Sequence, residues 1–134
     1  MSECLFCKII DREINAEIVY EDDHVVSFLD INPVNPGHIL VVPKQHKEVI
    51  TELTDEVLAN SIKAVKLMAS ILLKMPYQGV NIIQNNYSAA GQVVPHVHFH
   101  VIPRKEGDGL AHWPGRAYSE GEASKVAETL RSLI

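Results

Sequence analysis

Cysteine is scarce in this chain of 134 residues: there are two, Cys4 and Cys7, spaced C-x-x-C. A single pair cannot build a disulfide framework. A thioredoxin-type redox pair sits at a helix start after a strand, and only three residues precede Cys4, which argues against that chemistry. Two readings stay open: two small buried residues near a terminus, or half of a zinc site that needs two more ligands from elsewhere. Aromatic residues make up only 6 %, and no apolar run approaches the ~20 residues of a membrane span. Cations are outnumbered, 12 Lys and Arg against 17 Asp and Glu, for a formal net charge of -5. That leaves no electrostatic footprint for nucleic acid. The opening MSECLFCKII has no cationic start followed by a long apolar run, so no secretory signal is expected. The expectation is a soluble, cytoplasmic protein with no membrane segment. Apolar residues are plentiful at 46 %, enough for one core and one domain over residues 1–134.

No internal repeat, linker or low-complexity segment breaks the chain. EIVYEDDHVVSFLDI reads as two short strands around a turn at Glu21, Asp22 and Asp23. In the second strand Val26, Phe28 and Asp30 share one face, and Val25, Ser27, Leu29 and Ile31 the other. NPVNPG, Asn32 to Gly37, is a loop, and His38 to Val42 form an apolar strand stopped by Pro43. The long helix begins after Thr54, a suitable cap with Asp55 and Glu56 behind it, and ends before Pro76. Its expected apolar face is Val57, Leu58, Ile62, Val65, Met68, Ala69 and Leu72. GVNIIQNN is another strand, SAAGQ a loop, and Glu122 to Ser132 a closing helix with Val126, Ala127 and Leu130 inward. Hairpin-like strand pairs with one inserted helix indicate an α+β fold with a mainly antiparallel sheet.

The segment PHVHFHVIPR places His96, His98 and His100 at every second position. A period of two puts the three imidazoles on one face of a strand and Val97, Phe99 and Val101 on the other. The apolar face must pack on the core, and the histidine face must meet water, a ligand or a metal. The outer histidines lie about 13 Å apart along a strand. One zinc ion, with bonds of about 2.0–2.1 Å to nitrogen, cannot readily bridge them. The triple therefore has at least two jobs. Three readings compete: a polar sheet face with satisfied histidines, a catalytic zinc held by an adjacent pair, and a neutral central imidazole acting as nucleophile. Unperturbed histidine titrates near ~6.5, so much of it is neutral at physiological pH.

HVHFHVI, His96 to Ile102, resembles the signature of the histidine triad (HIT) superfamily, His-φ-His-φ-His-φ-φ with φ apolar. FLDINPVNPGHILVVPKQH and GQVVPHVHFHVIPR are similar to the family's upstream and downstream blocks. The likeness runs from Cys4 to about Gly115 and is strongest to the short histidine triad nucleotide-binding branch. It implies about five antiparallel strands with one long helix, a domain core over 4–115 with a C-terminal helical extension over 116–134, and a homodimer. It further implies attack by His98 on the α-phosphorus of a purine nucleotide, a nucleotidyl-histidine intermediate, and release of a nucleoside monophosphate. Phosphoramidates and dinucleoside polyphosphates are the implied substrates, and no organic cofactor is implied. His100 and the backbone amides of the Gly91–Gln92 loop are the expected phosphate donors, and His96 and His38 the supporting histidines. Asp30 is expected to bind the ribose hydroxyls, and Ile14, Phe28 and Ile31 to form the apolar wall around the base. Asn85 is expected near the phosphate or ribose. Val93 stands where the family usually has Ser or Thr. HWPG, His112 to Gly115, resembles a Trp-Pro element that borders the site. Relatives of a zinc-containing prokaryotic type hold the ion with residues matching Cys4, Cys7, His46 and His96, which implies a structural zinc. The alternative to catalysis is a nucleotide-binding regulatory module with little turnover.

Overall fold

The computed structural model describes residues 3–134. A short helix α1 (Leu5–Ile10) precedes strands β1 (Ile18–Glu21), β2 (Val25–Leu29) and β3 (Ile39–Pro43). Helix α2 (Asp55–Leu72), strands β4 (Gly79–Gln84) and β5 (Phe99–Arg104), and helix α3 (Glu122–Ser132) follow. The five strands form one sheet in the order β1-β2-β3-β5-β4, antiparallel at every pairing. This is the expected α+β architecture.

The β1–β2 turn forms because Asp22 Oδ1 accepts from the backbone N–H groups of His24 (2.7 Å) and Val25 (2.9 Å). Helix α2 starts as its sequence dictates: Thr54 Oγ1 accepts from the Val57 N–H at 3.2 Å, with Asp55 and Glu56 in the first turn. The sheet is covered on both faces, and alternation sorts its residues. Val25, Ile39, Val41, Val97, Phe99 and Val101 pack against Ala64, Val65, Met68 and Leu72 of α2. Val26, Phe28, Leu40 and Val42 pack against Phe6 and Ile9 of α1 on the opposite face. The predicted division holds within β2, with Val25 toward α2 and Val26 and Phe28 toward α1, but Ile31, expected on the Val25 face, lies past the end of the strand and on the α1 side with Asp30, where the functional side chains gather.

Three expectations need correction. The histidine run is only partly a strand: the β3–β5 ladder ends at the Val41–Phe99 pair, so His96 and His98 lie before it. Pro95 has no N–H to offer a ladder, and Val97 N–H donates instead to Lys47 O at 2.8 Å. The alternation of faces nevertheless persists through Val97. On α2, Ile62 is 46 % exposed, and Ser61 takes the buried position with its Oγ–H donating to Val57 O at 2.8 Å. On α3 none of the residues is buried, and Val126 and Leu130 face outward. Periodicity located that helix but could not say whether this chain covers its apolar side.

Candidate functional site

A cavity of about 390 Å³ opens on the α1 face, within the range of small-ligand pockets. His98, His100 and Asp30 line it together with the apolar side chains of Phe28, Ile14 and Ile31. Gly91 and Val93 complete the rim from the loop after β4. Eight of the ten residues expected to bind a nucleotide thus meet around one cavity. Sequence reasoning missed Leu5, Phe6 and Ile9 of α1 and Leu40 of β3, which also line it. Their signal was available in the helical spacing of Phe6, Ile9 and Ile10, but six residues are too few for a periodicity argument.

Backbone groups set the tautomers of His98 and His38, and His38 sets that of His100. The His98 Nδ1–H donates to the carbonyl of His96 at 2.7 Å, which leaves the Nε2 lone pair for the cavity. The Val34 N–H donates to His38 Nδ1 at 3.0 Å, so the proton of neutral His38 sits on Nε2. That Nε2–H donates to His100 Nδ1 at 2.9 Å, and His100 then carries its own proton on Nε2. One histidine offers a nucleophile and its neighbour a donor, with ring centroids 5.0 Å apart. His38 was expected to support the nucleophile; its hydrogen bond goes to His100. Asp30 Oδ2 lies 3.6 Å from His38 Nε2, and Asp30 Oδ1 accepts from the Asn32 N–H at 2.8 Å.

Burial favours the neutral rings this arrangement needs. It lowers His98 below the ordinary histidine value, against the opposing effects of its bond to the His96 carbonyl and of Asp30. His100 falls to about 4, first through burial and then through His98 and His38. His38 is lowered by burial, with Asp30 opposing.

Some candidates have other employment. The Gly91 and Gln92 N–H groups, expected to face a phosphate, donate to Ser88 O (3.0 Å) and Tyr87 O (3.1 Å) within the loop. Gly91 has φ +94°, and a Cβ there would meet only Asn85 Nδ2 at 3.7 Å, so its glycine answers a backbone need rather than a lack of room. The Gln92 side chain is buried and spans the loop, donating to Glu48 O at 2.7 Å and accepting from Tyr87 N–H at 2.6 Å. Asn85 packs beside Gly91 rather than lining the cavity. Ile31 is 88 % exposed and forms rim, not buried wall. Trp113 of the HWPG segment lies beside Ile82 and Arg104 at the β4 edge, away from His98.

A second cluster adjoins the first. Cys4, Cys7, His46 and His96 bring one donor atom each within 4.8 Å of one another. The His96 Nε2–H donates to Pro43 O at 2.8 Å, which turns the Nδ1 lone pair toward the others. That Nδ1 lies 3.4 Å from Cys4 Sγ, 3.6 Å from Cys7 Sγ and 3.0 Å from His46 Nδ1. Tetrahedral zinc with its usual bond lengths separates such atoms by roughly 3.3–3.8 Å, so the donor set fits that ion. His96 thus turns away from the His98 cavity, against the reading in which His96 and His98 share a catalytic metal. Burial lowers His96 to about 4, which keeps its lone pair available.

The sheet order and the division of labour among the three histidines define a histidine triad protein. The chain belongs to the HIT domain family, whose model matches residues 11–107. It is 58 % identical over 106 residues to an uncharacterized HIT-like protein of Methanocaldococcus jannaschii, covering 79 % of this chain and 82 % of that one. It is 38 % identical over 140 residues to an adenosine 5'-monophosphoramidase of Candida albicans, covering 99 % and 92 %. A crystal structure of a HIT family member from Bacillus subtilis superposes with TM-score 0.90 at 38 % identity, covering 99 % of this chain and 98 % of that one. A zinc-bound histidine triad protein of Mycobacterium smegmatis does so with TM-score 0.78 at 32 % identity, covering 98 % of each.

Proposed function

We propose that this protein is a nucleotide hydrolase that works through a nucleotidyl-His98 intermediate. The observation that carries the reading is the His98 Nδ1–H bond to the His96 carbonyl, which presents an unprotonated Nε2 to the cavity. Nε2 attacks the α-phosphorus of a nucleoside 5'-phosphoramidate or dinucleoside polyphosphate, and the bond from phosphorus to the leaving group breaks. Water then attacks the same phosphorus, the Nε2–P bond breaks, and a nucleoside monophosphate is released. The leaving group takes up a proton from solvent as it departs and the attacking water returns one, so one water is consumed overall. The His100 Nε2–H supplies a donor to the phosphoryl oxygens, where charge grows. Asp30 receives the ribose hydroxyls, and the apolar wall of Phe28, Phe6 and Ile9 takes a purine. The name of the Candida albicans relative supports the phosphoramidate class.

Two structural features complete the reading. Cys4, Cys7, His46 and His96 would hold zinc as a structural tie of the zinc-containing prokaryotic type, since the four donors together would leave it no position open to substrate. A homodimer forms across the free edge of β4 and the outward side of α2, where Ile62, Leu67, Ile71 and Ile82 are exposed, with residues 116–134 as an extension of the domain core. Val93, 89 % exposed and without a hydroxyl, favours a second reading: a nucleotide-binding regulatory module with slow turnover.

Adenosine 5'-phosphoramidate and diadenosine polyphosphates, followed by AMP release from wild type and His98→Ala, separate the two. Release that vanishes in the variant supports the hydrolase. AMP binding without release supports the module.

A further inference from the structure

The cluster of Cys4, Cys7, His46 and His96 and the cavity are built from the same short pieces of chain. Cys4 is the residue before α1 and Cys7 lies within it, while Leu5, Phe6 and Ile9 of that helix form part of the cavity wall. A six-residue helix is far below the length that stands alone, and Cys4 supplies no side-chain cap. The second connection runs through His96, whose Nδ1 faces the thiols while its carbonyl fixes His98 Nδ1–H at 2.7 Å. The third is Phe6, whose ring stands edge-on to His98 at 5.0 Å and to His96 at 6.0 Å. An ion at the four donors would thus fasten both the wall of the cavity and the carbonyl that orients the nucleophile.

We infer that metal occupancy at Cys4, Cys7, His46 and His96 is thermodynamically linked to nucleotide affinity, with Phe6 as the positioning residue that carries the link. This rests on the reading of the cavity as a nucleotide site. Linkage is reciprocal: zinc raises AMP affinity, and AMP raises zinc affinity by the same factor. Metal loss also frees the His96 carbonyl to move, and His98 then exchanges between its two neutral tautomers.

The test uses the full chain. AMP is titrated calorimetrically into zinc-loaded and chelator-stripped protein, with circular dichroism as the check on folding. Zinc affinity is measured by competition with a chromophoric chelator, with and without saturating AMP. The expected result is AMP binding at least about 5-fold weaker after stripping, matched by the AMP effect on zinc, within the usual range of coupled sites. The His98 ring nitrogens report a single Nδ1–H tautomer in the loaded protein and a mixture in the stripped one. Phe6→Ala, with zinc bound, shrinks the mutual effect toward none. If stripping merely unfolds the chain, Phe6→Ala instead leaves the mutual effect undiminished, and that result overturns the inference. Equal AMP affinity in folded stripped and loaded protein overturns it too, as does failure to take up zinc. Zinc-loaded wild type that binds no AMP contradicts the nucleotide reading itself, and the inference falls with it.

Discussion

At the scale of single residues, three histidines two apart in sequence differ in proton placement because each has a different partner: His96 and His98 donate to the carbonyls of Pro43 and His96, while His100 accepts from the His38 side chain. The alternation was legible because a period of two needs only an extended chain. The partners were not legible, since Pro43 O and the Val34 N–H come from other segments. The same limit explains Gln92: a buried amide next to a glycine looks like a phosphate ligand until the loop it spans is seen. His38→Ala leaves His100 without its partner, and kcat for AMP release is expected to drop roughly 10²-fold, the scale of a positioned proton donor. A change under about twofold would show that His100 keeps its tautomer unaided. Ser27 offers a test of a different kind. Its hydroxyl is buried with no hydrogen-bond partner. Ser27→Ala is therefore expected to raise the unfolding free energy by about 1 kcal/mol in urea titrations, because the orphaned group is removed.

At the scale of elements, β1 to β4 and α2 were read correctly because their patterns are long enough to average over single exceptions such as Ile62, whereas the histidine run becomes a strand only from Phe99. Helix α1 escaped because it is short, and the facing of α3 was misjudged because amphipathicity does not name a partner. Met68 is fully buried at the centre of the α2 face. Met68→Ala is expected to cost about 2–5 kcal/mol by chemical denaturation. The turn before His38 depends on Gly37, whose φ is +100°, and an added Cβ would lie 3.4 Å from Leu72 Cδ2. Gly37→Ala is expected to lower stability by about 1–2 kcal/mol. Nucleotide binding should weaken with it, as the Val34–His38 bond shifts.

At the scale of the whole molecule, the fold stacks a hydrophobic layer under α2 on one face of the sheet and the chemistry under α1 on the other. No helix among the described residues is long and apolar enough to cross a membrane. The buried imidazoles give stability a pH dependence with a definite sign. His100 in the folded protein titrates at about 4 against an ordinary 6.5, so between those values the unfolded chain binds the extra proton. Stability from this group is full above pH 6.5 and is lost progressively as the pH falls toward 4. Urea midpoints measured across that window in wild type and His100→Gln should converge at the acid end. A wild-type midpoint that stays flat would contradict the assignment. The dimer is expected as the main species in sedimentation equilibrium, and Ile82→Glu, at the edge strand, should shift it to monomer.

The central claim is that His98 Nε2 becomes covalently bonded to phosphorus. It is tested most directly by rapid acid-free quenching of the protein with adenosine 5'-phosphoramidate, followed by intact and peptide mass spectrometry. One adenylyl group is expected on the peptide carrying Pro95 to Arg104, at His98, absent in His98→Ala together with AMP release. An adduct on another residue, or AMP release undiminished in His98→Ala, would contradict it.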